Sequence, residues 1–285
     1  MRTFLPGEGV HETRAPGYVI HRDRFDQMLA DCAVEAGAEL VTATRALSKD
    51  HNGCVTLKPK GETAYCVHPR VIIGADGPHS TVGGWAGRVN DHLLPGVQVT
   101  LPLKTPLTHT EIYFDPEIPG GYAWLFPKKD VANVGLGLTR ALAPPRAARQ
   151  LLDRFVARMV AEGKVADTPL AYAAGWIPAV PVRSAVAGNI LLAGDAAGHT
   201  HPITGAGIFT AVSTGRLAGK FAARAAEKKD TRLLAEYDEA WQDLLGDTLQ
   251  RAAERRAMME ARWDDFSEII KSCWVAYREY YTHVK

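Results

Sequence analysis

The chain has 285 residues, 46% hydrophobic and 23% charged, an ordinary globular composition with length for one large domain or two small ones. Lys and Arg number 33 against 32 Asp and Glu, a formal net charge of +1, so charge gives no argument for a nucleic-acid partner. Four scattered cysteines (Cys32, Cys54, Cys66, Cys273), with no Cys-x-x-Cys pair and no His at zinc spacing, predict a reduced, cytoplasmic chain with no structural metal. No apolar run nears the ~20 residues of a membrane span, and the N-terminus has no signal-peptide core. A soluble chain, at most peripheral to a membrane, is expected.

The predicted elements begin with a helix over "DRFDQMLADCAVEAGAEL", with Phe25, Leu29, Cys32 and Ala36 on one stripe and Gly37 as its stop. β patterns follow in "ELVTATRAL", "GCVTLKP" and "TAYCVHP", with a turn at Lys60-Gly61. "RVIIGADG" is almost wholly apolar, as in a parallel strand covered on both faces. From about Asp91 to Val182 the texture changes. "PGVQVTLPL", "HTEIYFDPE", "GYAWLFPKK" and "VANVGLGLTR" alternate between Pro and Gly breaks, predicting an antiparallel sheet. A helix from about Pro145 to Glu162 follows. "NILLAGDAAG" returns to the apolar-strand texture, and the remainder reads as helices at about 205–227, 231–262 and 264–281. Leu234, Tyr237, Trp241 and Leu244 form a packing stripe on the second of these.

Two strand ends carry chemistry. "LLAGDAAGHTHPITGAGIFTAVSTG" passes through Gly194 and Asp195, a loop with Pro202, and a helix entrance built from Gly205, Ala206 and Gly207. A carboxylate there can accept hydrogen bonds from sugar or ribityl hydroxyls, and the free N–H groups of a helix start suit an anion. Glycines let a flat ring approach the backbone. A flavin needs this combination: a polyol to hold and a ring edge that turns negative on reduction. In "VIIGADGPHSTV", Asp76 and Gly77 end a strand before a helix with Ser80 as N-cap. Asp76 either holds a dinucleotide's phosphates through water or caps the helix. His199 and His201 either supply a proton beside the flavin or serve as hydrogen-bonded scaffolding.

The two motifs, flanking an antiparallel insert, resemble the flavoprotein hydroxylase superfamily. "YAWLFPKKDVANVGLG" is similar to the Tyr-x-Trp-x-Phe-Pro and Gly-x-Gly pattern of the geranylgeranyl reductase family, with Tyr122, Trp124, Phe126, Pro127, Gly135 and Gly137 at its positions. "YVIHRDRFDQMLADCAVEAGAEL" resembles the family segment in which an Arg ahead of a helix reaches the flavin side, and Arg22 is the match. The resemblance covers nearly the whole chain. It implies an α/β fold (α+β overall): a partial FAD/NAD(P)-binding Rossmann-like domain at 1–90 and 186–228, an antiparallel substrate domain at 91–185, and a helical C-terminal region at 229–285.

The function it implies is reduction of C=C bonds in a prenyl or isoprenoid lipid by hydride from reduced FAD, with NAD(P)H or ferredoxin as electron donor. Arg22, Asp76, Gly77, Gly194, Asp195, Pro202, Gly205, Ala206 and Gly207 would hold the cofactor. Tyr122, Trp124, Phe126, Gly135 and Gly137 would form a lipid-facing wall, a pattern that could equally be a core face. His199 and His201 would be the catalytic candidates, and no metal is expected.

Two departures accompany the resemblance. The family's Gly-x-Gly-x-x-Gly turn, which seats the ADP end of FAD on a helix start, has no counterpart in "PGEGVHE". Gly83 stands where the superfamily usually has Arg. The expectation is a chain that begins inside the family's length. Its alternatives are a non-catalytic fragment or one half of a split flavoprotein completed by a partner chain, and a flavin monooxygenase acting on an apolar or aromatic compound. The terminal "FSEIIKSCWVAYREYYTHVK" is amphipathic enough to touch a membrane surface, but is expected to pack on the body of the protein.

Overall fold

The computed structural model describes residues 1–142 and 147–282, so the helix start expected at Pro145 lies outside the described residues. The chain opens with two short antiparallel strands, β1 (Arg2–Phe4) and β2 (Val10–Glu12), then helix α1 (Arg22–Glu35). A meander of β3 (Thr44–Lys49), β4 (Val55–Pro59) and β5 (Tyr65–Val67) leads into β6 (Ile72–Gly74) and the short helix α2 (Thr81–Trp85). Next come β7 (Leu93–Pro102), β8 (Glu111–Tyr113), β9 (Tyr122–Lys128), β10 (Val131–Gly137), helix α3 (Ala147–Ala161) and β11 (Ala171–Pro178). β12 (Val186–Ala187) and β13 (Ile190–Leu192) precede the helices α4 (Ile208–Lys228), α5 (Ala235–Trp241), α6 (Asp247–Ala261) and α7 (Phe266–Cys273).

The expected antiparallel insert is a seven-stranded sheet in the order β11-β7-β10-β9-β8-β1-β2. Among the described residues, only its β1–β8 pairing is parallel. Sequence reasoning missed β11, because "AYAAGWI" lies on the sheet's edge with residues 171–176 exposed and shows no in–out alternation. It also grouped the first dozen residues with the FAD-binding part, whereas β1 pairs with β8 and extends the insert's sheet. Three-residue strands are too short to carry a period. One face of this sheet packs on α3 through Leu151, Leu152, Phe155 and Met159.

Both apolar segments form strands, and they pair in parallel, β6 beside β13, with β12 on the other side of β13. Every β13 residue is buried, but Ile73 at the centre of β6 is 40% exposed, so two-sided cover holds for β13 alone. Tyr237 and Trp241 of the predicted stripe are buried with this sheet and α4, while Leu244 stays exposed. The single helix read over 231–262 is α5 and α6, with a π-turn at Gln242–Gly246 between them. The last predicted helix ends at Cys273. Beyond it, Trp274 and Tyr280 are buried with Ile112 and Phe114, so the tail packs on the body. Among the described residues, no helix is long and apolar enough to cross a membrane.

One cysteine expectation is corrected. The β4–β5 register pairs Thr56 with Cys66, and this brings Cys54 and Cys66 together as a disulfide. The two are 12 positions apart in sequence, and the hairpin register makes them neighbours. Cys32 is free and exposed, and Cys273 is free and buried.

Candidate active site

A cavity of about 1060 Å³ lies where α1, the ends of β6 and β13, the start of α4 and the insert's sheet converge. Its polar wall is formed by Gly77, Gly194, Asp195, Gly205, Ala206 and Gly207, with Arg22 and Phe25 of α1. Its apolar wall includes Ile112, Tyr122, Phe126, Ile177 and Trp274, and Ile177 meets the polar wall at Gly205. α1 buries none of its residues; the predicted stripe places Phe25 and Leu29 on the cavity wall rather than in a core. A smaller groove of about 400 Å³ along α3 contains none of the motif residues.

The polar end is built by the turn after β13. Asp195 Oδ1 accepts a hydrogen bond from Thr200 Oγ1 at 2.5 Å, and Asn90 Nδ2 holds the Asp195 carbonyl at 2.9 Å. No side chain caps α4, so its first N–H groups are left for a ligand. A Cβ at Gly207 would stand 2.9 Å from Thr200 Oγ1 and 3.3 Å from Asp195 Oδ1. The glycine therefore keeps open the space between carboxylate and helix start. Arg22 faces this end while paired with Asp26 through Nε and Nη2, at 3.0 and 2.9 Å. Its hydrogen bond to Asp26 raises its pKa, and the charges of Asp26 and Asp195 add to that.

Behind the loop lies a residue that sequence reasoning missed. Arg256 of α6 is buried and donates from Nε and Nη2 to the Pro202 carbonyl, at 3.0 and 2.9 Å. Its Nη1 donates to the Gly120 carbonyl. One guanidinium thus ties the loop between β13 and α4 to the start of β9, and Tyr122 Oη adds a 2.5 Å bond to the Thr204 carbonyl. In sequence, "ERRAMME" looks like a solvated helix face. Burial pulls the Arg256 pKa down, while Glu260, 3.7 Å away, opposes that. Burial also raises Glu260, but hydrogen bonds with His92 and Thr139 and the charge of Arg256 outweigh it and hold the carboxyl below its usual range.

The remaining predicted residues divide. Asp76 accepts from Ser80 Oγ at 2.5 Å, Thr81 N at 2.7 Å and Val82 N at 3.1 Å. It is committed to capping α2 and lies outside the cavity lining; Gly77 beside it is on the wall. At Gly83 any Cβ would stand 2.5 Å from the Arg88 carbonyl, so this turn has no room for the superfamily's Arg. Pro202 meets Arg256 rather than the cavity.

His199 and His201 are also absent from the lining. His199 is fully buried with its ring 4.5 Å from Trp241, and burial pushes its pKa down to about 4. His201 Nδ1 accepts from Thr204 N at 3.2 Å, its Nε2 is 3.3 Å from Tyr280 Oη, and burial likewise takes it down to about 4. The scaffolding alternative describes the geometry of His201.

Tyr122, Trp124 and Phe126 share one face of β9. Tyr122 and Phe126 line the cavity, and Trp124 sits between them, its ring 5.9 Å from each. The indole lies over Gly135, where a Cβ would stand 2.5 Å from it. Gly137, the next on that face, has Trp124 and Ile177 just inside 4 Å of its Cβ position. Ile112, Ile177 and Trp274 complete the apolar end and were not legible in the sequence, since each comes from a separate element.

A family model described as an FAD binding domain matches residues 8–252. The chain is 38% identical over 282 residues to digeranylgeranylglycerophospholipid reductase 1 of Methanopyrus kandleri, spanning 94% of this chain and 74% of that protein. The chain belongs to the geranylgeranyl reductase family of FAD-dependent oxidoreductases. This family member is also 35% identical over 275 residues to the digeranylgeranylglycerophospholipid reductase of Methanothrix thermoacetophila, covering 90% of the one and 68% of the other. Its fold is similar to that of a geranylgeranyl bacteriochlorophyll reductase-like protein from Thermoplasma acidophilum, with TM-score 0.79 and 25% identity over 94% of this chain and 74% of that one. A probable FAD-dependent monooxygenase from Pseudomonas aeruginosa shares the fold at TM-score 0.59 and 21% identity, over 86% of this chain and 71% of that one.

FAD is the cofactor of this geranylgeranyl reductase family member, and the site accepts its flavin end on three observations. α4 starts uncapped, Asp195 stands on the cavity wall, and the space at Gly207 is one that a single methyl group would close.

Proposed function

We propose that this reductase saturates C=C bonds of geranylgeranyl chains carried on a glycerophospholipid. The carrying observation is that a single cavity is lined both by Asp195 and Gly205–Gly207 and by the apolar side chains of Tyr122, Phe126, Ile177 and Trp274. When bound, FAD supplies the hydride. Asp195 accepts hydrogen bonds from the ribityl hydroxyls, and the N–H groups at the start of α4 stabilise negative charge on the flavin edge. The aromatic wall holds the chain extended and excludes water. Phe209, 72% exposed and on the lining, supports entry of the lipid from a membrane surface at the cavity mouth. The physiological electron donor in this reading is of the NAD(P)H or ferredoxin class.

The test uses the whole chain loaded with FAD, reduced with dithionite and mixed with digeranylgeranylglycerophospholipid in detergent. Mass spectrometry is expected to show one H2 gained per reduced double bond. Unchanged lipid, with flavin still bound and reduced, would overturn the assignment.

A further inference from the structure

The β4–β5 hairpin gathers three metal-type donors on one face, away from the cavity. In its antiparallel register each pair of partners sums to the same value, Val55 with Val67 and Thr56 with Cys66. Continued by one residue, that register sets Cys54 opposite His68. Cys66 and His68, two apart on the same strand end, share a face, and Cys54 reaches that face from across the hairpin. The result is a cluster in which Cys54 Sγ, Cys66 Sγ and a His68 ring nitrogen all lie within 4.8 Å of one another. Cys66 Sγ and His68 Nε2 are 3.5 Å apart. Cys54 is held in place by its backbone, since its N–H donates to Asp50 Oδ1 at 2.9 Å and its carbonyl accepts from Asp50 N at 3.0 Å. Cys66 and His68 are exposed, so reductants and ions can reach the cluster.

We infer that, once the disulfide is reduced, Cys54, Cys66 and His68 bind a soft divalent cation of the zinc class, with the fourth position open to water. Tetrahedral zinc with bonds of about 2.3 Å to sulfur and about 2.0 Å to nitrogen keeps neighbouring donors roughly 3.5–3.8 Å apart, the separation already present between Cys66 and His68. Two thiolates and an imidazole are a donor set that zinc favours over magnesium or calcium. The step balances. A thiol reductant gives two electrons and two protons to the sulfurs and leaves as its own disulfide; the cation then displaces the two thiol protons. Disulfide and metal site use the same two sulfurs and exclude each other, so the hairpin binds the cation only in its reduced state.

The experiment uses the 285-residue chain and Co²⁺ as a visible stand-in for zinc. The disulfide is opened with a phosphine, which takes oxygen from water and leaves the two hydrogens on sulfur, and the protein is desalted without air. Titration is expected to raise a thiolate-to-cobalt charge-transfer band that saturates at one equivalent and is displaced by Zn²⁺. The oxidised chain, Cys54→Ser and Cys66→Ser should lack it, His68→Ala should shift and weaken it, and Cys32→Ser should keep it. No band in the reduced chain, or an unchanged band in Cys54→Ser, would overturn the inference. A second measurement needs no variant: zinc should slow re-formation of the disulfide by oxidised glutathione, followed by maleimide mass labelling. Equal rates with and without zinc would also overturn it.

Discussion

At Gly207 an added side chain would crowd Thr200 and Asp195. The backbone there is unstrained, and the constraint is space, because a methyl group would stand 2.9 Å from Thr200 Oγ1 and displace the hydroxyl that orients Asp195. Gly207→Ala is therefore expected to keep the fold and lose flavin, read as an unchanged far-UV spectrum with little FAD absorbance after desalting. Arg256 is the opposite case, since many atoms depend on one side chain. Arg256→Met leaves the Pro202 and Gly120 carbonyls without their buried donor. A hydrogen bond to a charged group contributes about 1.5–3 kcal/mol. Urea unfolding should show a loss of at least that size, together with weaker FAD retention as the loop loosens. Asp76 shows the limit of motif reasoning at this scale. A carboxylate at a strand end can hold a ligand or cap the next helix, and its hydrogen bonds to Ser80, Thr81 and Val82 tie it to α2.

Among the elements, the loop between β13 and α4 carries a pH dependence of predictable sign. His199 and His201 titrate near 4 in the folded chain, both through burial, against about 6.5 when unfolded. As pH falls, the unfolded chain takes up protons first. Their stabilising contribution is therefore complete above about pH 6.5 and is lost progressively down to about 4. The melting temperature should drop across that window. His199→Phe should remove roughly half of the drop, since the replacement ring still packs on Trp241 and no longer titrates. Glu111 and Glu260 are held below the usual carboxylate range against the pull of burial. They lose stabilisation in a lower window, so the histidine effect separates from theirs. In the hairpin β4–β5, Cys-to-Cys spacing has no meaning until the register is known.

For the whole molecule, the decisive feature is one cavity spanning two sheets. Ile177, near the end of β11, lies 3.7 Å from where a Gly205 Cβ would be and so stands where the polar and apolar walls meet. Ile177→Trp should fill that junction. FAD binding is expected to survive, while prenyl reduction falls by roughly 100-fold, the size of loss that a ~1 Å misplacement produces; flavin absorbance and lipid mass spectrometry read the two effects separately. Loss of both together would mean that Ile177 supports the flavin loop instead.

Local signals placed most of the elements. Alternation marked β7, β9 and β10, a continuous apolar run marked β13, and the Asp195-to-Gly207 stretch marked residues that line the cavity. Each of these patterns is written within a short run of consecutive residues. The edge strand β11, the pairing of β1 with β8, the buried Arg256, the cavity residues Ile112 and Trp274, and the Cys54–Cys66–His68 cluster became visible only in the folded chain. Their partners lie far apart in sequence. Which residues become neighbours is set by strand order and register, and side-chain periodicity does not encode those for short or exposed segments.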